Sequence, residues 1–244
     1  MRIHRIQLDE TDSTNSCIRQ LAPPEYDDML VVTADYQSAG RGQGSNHWES
    51  ERGKNLLCSI MICPTFIKPT RQFLLSEVGA LAVAEALDCY TDGISLKWPN
   101  DIYWHDKKIC GTLIETSMAT GKLRTCVFGI GVNINQRMFH SDAPNPVSLW
   151  QIRGCETDRE AVLDQILQEL QKYLSMLYIG EEEKVSSLYH SRLFRREGFF
   201  TYCDAEGTFM AEIVSVADDG PITLRDTEGR LRRYAFKEVQ FVIE

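Results

Sequence analysis

Apolar and polar residues alternate from Ile3 to Leu8, the pattern of a strand with one buried face. Asp12 or Ser13 stands where a cap would start a short helix carrying Cys17, Ile18 and Leu21, and the Pro23-Pro24 pair predicts its end. Met29 to Tyr36 is β-branched enough for a buried strand. A polar, glycine-rich stretch runs from Gln37 to Lys54, and a further strand from Asn55 to Cys63. Arg71 to Leu87 is apolar on nearly every side, which predicts a helix covered from more than one direction. Ile94–Trp98, Lys108–Met118 and Leu123–Ile134 read as strands, with Thr120-Gly121 turning between the last two. A proline-rich loop, Ala143 to Pro146, precedes an amphipathic helix carrying Leu163, Ile166, Leu167, Leu170, Leu174 and Leu177. The next segment opens on Glu181-Glu182-Glu183 and closes on Arg192, Arg195 and Arg196, signs that match a helix macrodipole.

After Gly198 the runs become short and alternating, separated by Glu206-Gly207, Asp219-Gly220 and Glu228-Gly229. That spacing predicts a small β-barrel over residues 198–244, following a larger domain of mixed helices and strands over residues 1–197. A chain of 244 residues suits one large and one small domain.

Composition narrows the function classes. With 43% hydrophobic and 25% charged residues the chain reads as globular rather than disordered or fibrous. The net charge of -9 argues against broad binding to a nucleic-acid backbone, while leaving room for a local basic site. No apolar run reaches membrane-spanning length and no secretory signal opens the sequence, so a cytoplasmic location is expected. The eight cysteines form no CxxC pair and several sit in apolar runs, which predicts small buried hydrophobes in a reducing compartment.

Four segments carry candidate chemistry. Gln37 to Trp48 places Gly40, Gly42 and Gly44 around Arg41, so backbone N–H groups can approach an anion and the guanidinium can grip it. It lacks the Gly-Lys-Ser/Thr end of a P-loop, and a plain surface loop is the alternative. Lys97-Trp98-Pro99-Asn100-Asp101 offers a carboxylate just past a strand end, able to hold Mg²⁺. Lys108, followed closely by Gly111, is placed to face an anion, whereas Lys107 reads as a solvated hairpin lysine. Trp98 reads equally as core. Thr11 to Asn15 is a helix cap or a polar binding loop, and Gly129 to Asn135 puts Asn133 where a nucleotide edge can be read, or simply caps a loop. No Ser/His/Asp or Cys/His arrangement supports a nucleophilic hydrolase.

Taken together and in this order, STN, Q..AGRG....W, KWPND with K..G beyond it, and GxGxN resemble the biotin–protein ligase family, from about Thr11 to the end of the chain. The closing YAFKEV resembles that family's SH3-like barrel. The resemblance implies an α+β fold: a mixed, mostly antiparallel sheet with packed helices, like the class II synthetases, plus the small C-terminal barrel. It implies two steps. Biotin and Mg-ATP give biotinyl-5′-AMP and pyrophosphate, and a lysine of a biotin carboxyl carrier domain then attacks the mixed anhydride. By the same resemblance, Ser13, Thr14, Asn15, Gln37, Gly40, Arg41, Lys108 and Gly111 hold biotin. Gly40, Arg41, Gly42, Trp48, Asn100 and Asn133 hold ATP, Arg41, Lys108 and Asp101 are catalytic, and Asp101 serves Mg²⁺. The loop departs from the arginine-rich family form GRGRRGR at Gln43, Gly44, Ser45 and Asn46, which throws more weight on Arg41 and Lys108.

A lipoate or octanoate ligase or transferase shares the implied fold and is the nearest alternative. Only ten residues precede Thr11, too few for a helix-turn-helix, so no DNA binding from that end is expected. The basic stretch Arg230, Arg232, Arg233 and Lys237 could bind nucleic acid, but reads better as a solvated barrel face, or one that helps dock the carrier or the nucleotide. No membrane partner is expected, and the chain is expected to be a monomer or homodimer.

Overall fold

A computed structural model of the chain describes residues 1–140 and 145–243. Among them, seven strands form one mixed sheet in the order β1-β2-β3-β7-β6-β5-β4. These are β1 (Ile3–Thr11), β2 (Met29–Gln37), β3 (Leu56–Ile62), β4 (Ile94–Lys97), β5 (Asp101–Trp104), β6 (Lys107–Ala119) and β7 (Lys122–Val132). β1 runs parallel to β2 and the remaining neighbours are antiparallel. The fold is α+β, as the family resemblance implies.

One face of the sheet carries α2 (Phe73–Asp88), α4 (Arg159–Tyr178) and α5 (Glu182–Ser191). α2 is buried nearly all round because the sheet covers one side and α4 and α5 the other, which explains its lack of a polar face. Gly79 lets α2 approach Phe128 of β7, where an added Cβ would meet the ring at 3.0 Å. α1 (Thr14–Ile18) packs on the opposite face through Ile18, against Val32, Met61 and Val127. Ser13 is its N-cap residue by backbone geometry, but its side chain makes no capping bond. Asp12 instead accepts from the Ser13 N–H at 2.6 Å. The helix ends at Ile18, short of Leu21 and of the proline pair expected to stop it.

Two elements escape the periodicity reading. β5 is four residues long, too short for alternation to show, and Asp101 opens it. α3 (Leu149–Arg153) is a single short helix with a Ser148/Gln151 capping box and Gly154 at φ +72 beyond its end. α5 stops at Ser191, so Arg195 and Arg196 lie beyond the helix whose dipole they were expected to complement. Ala143 and Pro144 of the expected loop lie outside the described residues.

The C-terminal part forms an antiparallel sheet of five strands among the described residues, ordered β11-β10-β9-β8-β12. Its strands are β8 (Phe200–Asp204), β9 (Gly207–Val216), β10 (Ile222–Asp226), β11 (Leu231–Tyr234) and β12 (Gln240–Phe241), turning at the expected glycines. This sheet is not hung on a linker. Its Tyr202, Ala211, Val216, Ile222 and Leu224 join the main buried cluster. The Trp98 indole donates to Gly220 O at 2.8 Å, Arg71 pairs with Asp218 at 2.7 Å, and His190 of α5 accepts from the Val216 N–H at 3.0 Å. Trp98 is therefore structural.

The eight cysteines are free thiols. Cys58, Cys110 and Cys126 are buried, and burial holds all three thiols protonated, with Cys58 pushed up to about 12. Cys89 and Cys155 are exposed, unlike the buried position expected of the set.

Candidate active site

A cavity opens on the α1 side of the large sheet, where residues from several separated stretches meet. Its wall includes Ser13, Thr14 and Asn15 at the start of α1, and Gln37 at the end of β2. Arg41, Gly42 and Trp48 come from the glycine-rich loop, Asn100 and Asp101 from the β4–β5 corner, and Lys108 and Gly111 from β6.

The spacing of Lys108 and Gly111 needs explanation, since residues three apart in a regular strand point to opposite faces. A bulge resolves it. Asp101, Ile102 and Tyr103 pair with Gly111, Cys110 and Lys108, leaving Ile109 as the extra residue. Lys108 thus returns to the cavity face, with its Nζ 2.6 Å from Asp101 Oδ1 and 5.8 Å from the Trp48 ring.

Glycines decide how closely the other groups approach. Gly111 and Gly131 are cross-strand partners on β6 and β7, and the Trp48 indole lies over both. A Cβ on Gly131 would stand 2.6 Å from the ring, and one on Gly111 2.9 Å from it. Two residues earlier on the same face, Gly129 leaves the space that the Asn15 amide fills. The loop itself folds as a narrow ribbon: Gly42 N–H donates to Asn46 O at 2.8 Å and Trp48 N–H to Gly40 O at 3.0 Å.

The cavity floor is polar and tightly bonded. Gln37 Oε1 accepts from the Thr14 N–H at 2.7 Å and from its hydroxyl at 3.0 Å. Ser59 Oγ lies 2.8 Å from Thr14 Oγ1 and 2.5 Å from Asn15 Oδ1, and Asn15 Nδ2 donates to Glu115 at 3.0 Å. Glu115 also binds the Arg41 guanidinium at 3.0 Å and Arg19 at 3.1 Å. Lys97 lines the cavity above the Tyr103 and Phe241 rings, at 5.3 and 5.0 Å. Burial pulls its ammonium below the usual lysine range, opposed by the Asp101 carboxylate.

Of the residues expected from the sequence, Gly40 and Asn133 do not line the cavity. Gly40 sits tight under the Trp48 carbonyl, and Asn133 is buried, with its backbone bonded to Ile109 and Leu149. The Asn100 amide is already donated to Thr112 O at 2.5 Å. Asp101 is, among the described residues, the carboxylate on the cavity wall, and its Oδ1 is engaged by Lys108. The described residues contain no group of three or more His, Cys, Asp or Glu side chains able to hold a metal ion.

Glu115, Lys97, Gln43 and Phe236 also belong to the site; Lys97 and Gln43 lie in the KWPND and glycine-rich segments but carry no assigned role in the sequence reading. Glu115 had a signal, because it shares the strand face of Gly111 and Leu113. Phe236 lies in the closing YAFKEV motif, and only the packing of the C-terminal part brings it to the cavity. Trp48 Nε1, Asn133 Oδ1 and Gln43 Oε1 are buried without a partner, which marks polar surface that a ligand can satisfy.

A family model described as the Biotin/lipoate A/B protein ligase family matches residues 8–133. The chain is 29% identical over 240 residues to the Bifunctional ligase/repressor BirA of Bacillus subtilis, covering 95% of this chain and 72% of that protein. It is 28% identical over 173 residues to the Biotin--[acetyl-CoA-carboxylase] ligase of Mycobacterium tuberculosis, covering 68% of this chain and 63% of that protein. Its fold is similar to that of the biotin protein ligase from Aquifex aeolicus solved in complex with biotin and ATP. There the TM-score is 0.79 and the identity 26%, over 98% of this chain and 99% of that chain.

Proposed function

The chain belongs to the biotin/lipoate A/B protein ligase family, and from that premise we propose that it is an ATP-dependent biotin ligase. It activates biotin to biotinyl-5′-AMP and transfers the biotin to a lysine of a carrier domain. The observation that carries this reading is the pairing of a polar floor, Ser13, Thr14, Asn15 and Gln37, with the cations Arg41 and Lys108 in one cavity. A ureido head needs hydrogen-bonding groups to replace its lost water, whereas a lipoyl or octanoyl chain needs apolar walls.

In this reading the Ser13 hydroxyl, unused as a cap, and the Thr14–Gln37 pair bind the ureido group. Lys108 and Arg41 face the carboxylate and the α-phosphate as their oxygens meet, stabilising the charge that builds between them. Asp101 holds the Lys108 ammonium in place through their 2.6 Å ion pair. Trp48, seated on Gly111 and Gly131, offers its ring to the nucleotide. The folded loop from Gly40 to Trp48 excludes water from the anhydride until an amine arrives. Magnesium would enter with the nucleotide as Mg-ATP and offset part of its phosphate charge.

The catalytic work falls to residues 1–197, with residues 198–244 as the smaller, docked part. The partner is a biotin carboxyl carrier domain of a carboxylase. Eight free thiols fit a reducing, cytoplasmic setting, and no helix among the described residues is long and apolar enough to cross a membrane. The deciding experiment compares pyrophosphate–ATP exchange driven by biotin and by lipoate, followed by mass spectrometry of a carrier domain. Biotin-dependent exchange and one biotin on one lysine are expected; exchange driven by lipoate alone overturns the reading.

A further inference from the structure

The tip of the glycine-rich loop touches the C-terminal sheet. Gly44 has φ +68, and a Cβ there would lie 2.6 Å from the Lys237 Nζ, so the ammonium rests directly against the loop backbone. Lys237 itself takes φ +70, which is uncommon for a residue with a side chain. Its neighbour Phe236 lines the same cavity as Arg41 and Lys108. The other basic groups of this stretch are neutralised: Arg230 by Asp226, Arg232 by Asp204 and Asp226, and Arg233 by Asp219. Among the described residues Lys237 forms no ion pair; its contact is the Phe236 ring, and the Glu238 carboxylate accepts from the Ala235 N–H instead.

Deeper in the cavity Arg41 is matched with Glu115 and Lys108 with Asp101, and Lys97, over the Tyr103 and Phe241 rings, is the cation on the wall that has no ion pair among the described residues. A nucleoside triphosphate is a polyanion, and it needs more positive charge than those pairs leave over. We propose that Lys237 binds the β- and γ-phosphates of ATP, holding them against the tip of the loop while the α-phosphate lies deeper, by Lys108. This rests on the adenylating reading of the cavity. In that step a carboxylate oxygen bonds to the α-phosphorus, the bond from phosphorus to the bridging oxygen breaks, and pyrophosphate leaves with the electron pair. Lys237 stays with the leaving group, so the C-terminal sheet takes part in the first half-reaction. Biotinyl-AMP carries no β- or γ-phosphate, and the second half-reaction does not use the lysine.

The test uses the full chain with Lys237→Gln and Lys237→Arg. For Lys237→Gln the KM for ATP and for pyrophosphate should rise about tenfold, the loss of one charge-assisted contact. The KM for biotin and the rate of transfer from supplied biotinyl-AMP should not change, and Lys237→Arg should restore most of the exchange. An unchanged dependence on ATP and pyrophosphate overturns the proposal. So does an equal loss in both half-reactions, which marks a lysine that only supports the loop. Absence of biotin-dependent exchange in the unsubstituted chain overturns the adenylating reading, and this proposal with it.

Discussion

The indole of Trp48 lies against Gly131, so closely that a Cβ on that glycine would stand 2.6 Å from the ring. A loop that is otherwise polar and glycine-rich is thus seated on the sheet by its large aromatic side chain. Gly131→Ala forces either the ring or the strand to move. It should raise the KM for ATP at least about tenfold and lower stability by about 1–3 kcal/mol. Steady-state kinetics and a thermal melt check this, and an unaltered KM with an unaltered Tm would show that the ring has room to spare.

Glu115 holds Arg41 and Arg19 together through ion pairs at 3.0 and 3.1 Å. Partly exposed ion pairs of this kind contribute under about 1 kcal/mol to stability, so the effect of Glu115→Gln belongs to the loop and not to the fold. Release of biotinyl-AMP should quicken, measured by chromatography of the free adenylate. Arg41→Gly should go further and label proteins promiscuously in a streptavidin blot of mixed proteins; full selectivity for a carrier domain would remove Arg41 from its assigned role.

Lys108 and Asp101 form the tightest charged contact in the cavity wall, at 2.6 Å. Lys108→Met should lower the rate of adenylate formation about 10²–10³-fold by removing a group aimed at developing charge. It also removes the direct ion pair of the Asp101 carboxylate and costs stability. The double variant Lys108→Met with Asp101→Asn should regain the Tm without regaining activity. Recovery of both would mean the pair is only structural.

Glu77 of α2 is 2% exposed and accepts from the Ser186 hydroxyl of α5 at 2.7 Å. Burial pushes its carboxyl up to about 7, against the opposing pull of that hydrogen bond. A raised folded value means that the native state binds the extra proton. The stability this gives is complete below about 4.5, the unfolded value, and is lost as the pH rises through about 7. Glu77→Gln should therefore match the unsubstituted chain at pH 4.5 and exceed it at pH 8 by about 3 kcal/mol at most. Denaturant midpoints at the two pH values decide it; equal curves at pH 8 would show that Glu77 is charged and well compensated.

Some of this was legible along the chain. Long strands and the helices α2 and α4 announce themselves by period, because a buried face must recur every two residues or every turn. β5 and α3 are too short for that signal, although Ser148, Gln151 and Gly154 spell out the start and stop of α3 in sequence. Gly129, Gly131 and the loop residues were visible as motifs, since close backbone approach can use only a glycine. Asn133 is buried with its Oδ1 unpartnered, and an asparagine leaving a strand looks the same in sequence whether its amide faces a ligand or the interior.

The family motifs, the polar run Ser13 to Asn15, and the cations Arg41 and Lys108 are legible along the chain. These are local facts: residue types at fixed spacing on one strand, loop or helix start. The tertiary structure alone decided which charges are spent and which remain. Glu115 reaches Arg41 across 74 positions, and Lys237 reaches Gly44 from the far end of the chain. The basic stretch that looked uniform from Arg230 to Lys237 is divided into neutralised arginines and one unpaired lysine among the described residues. Pairing depends on distances in space, set by how the two sheets pack, and no spacing along the chain encodes them.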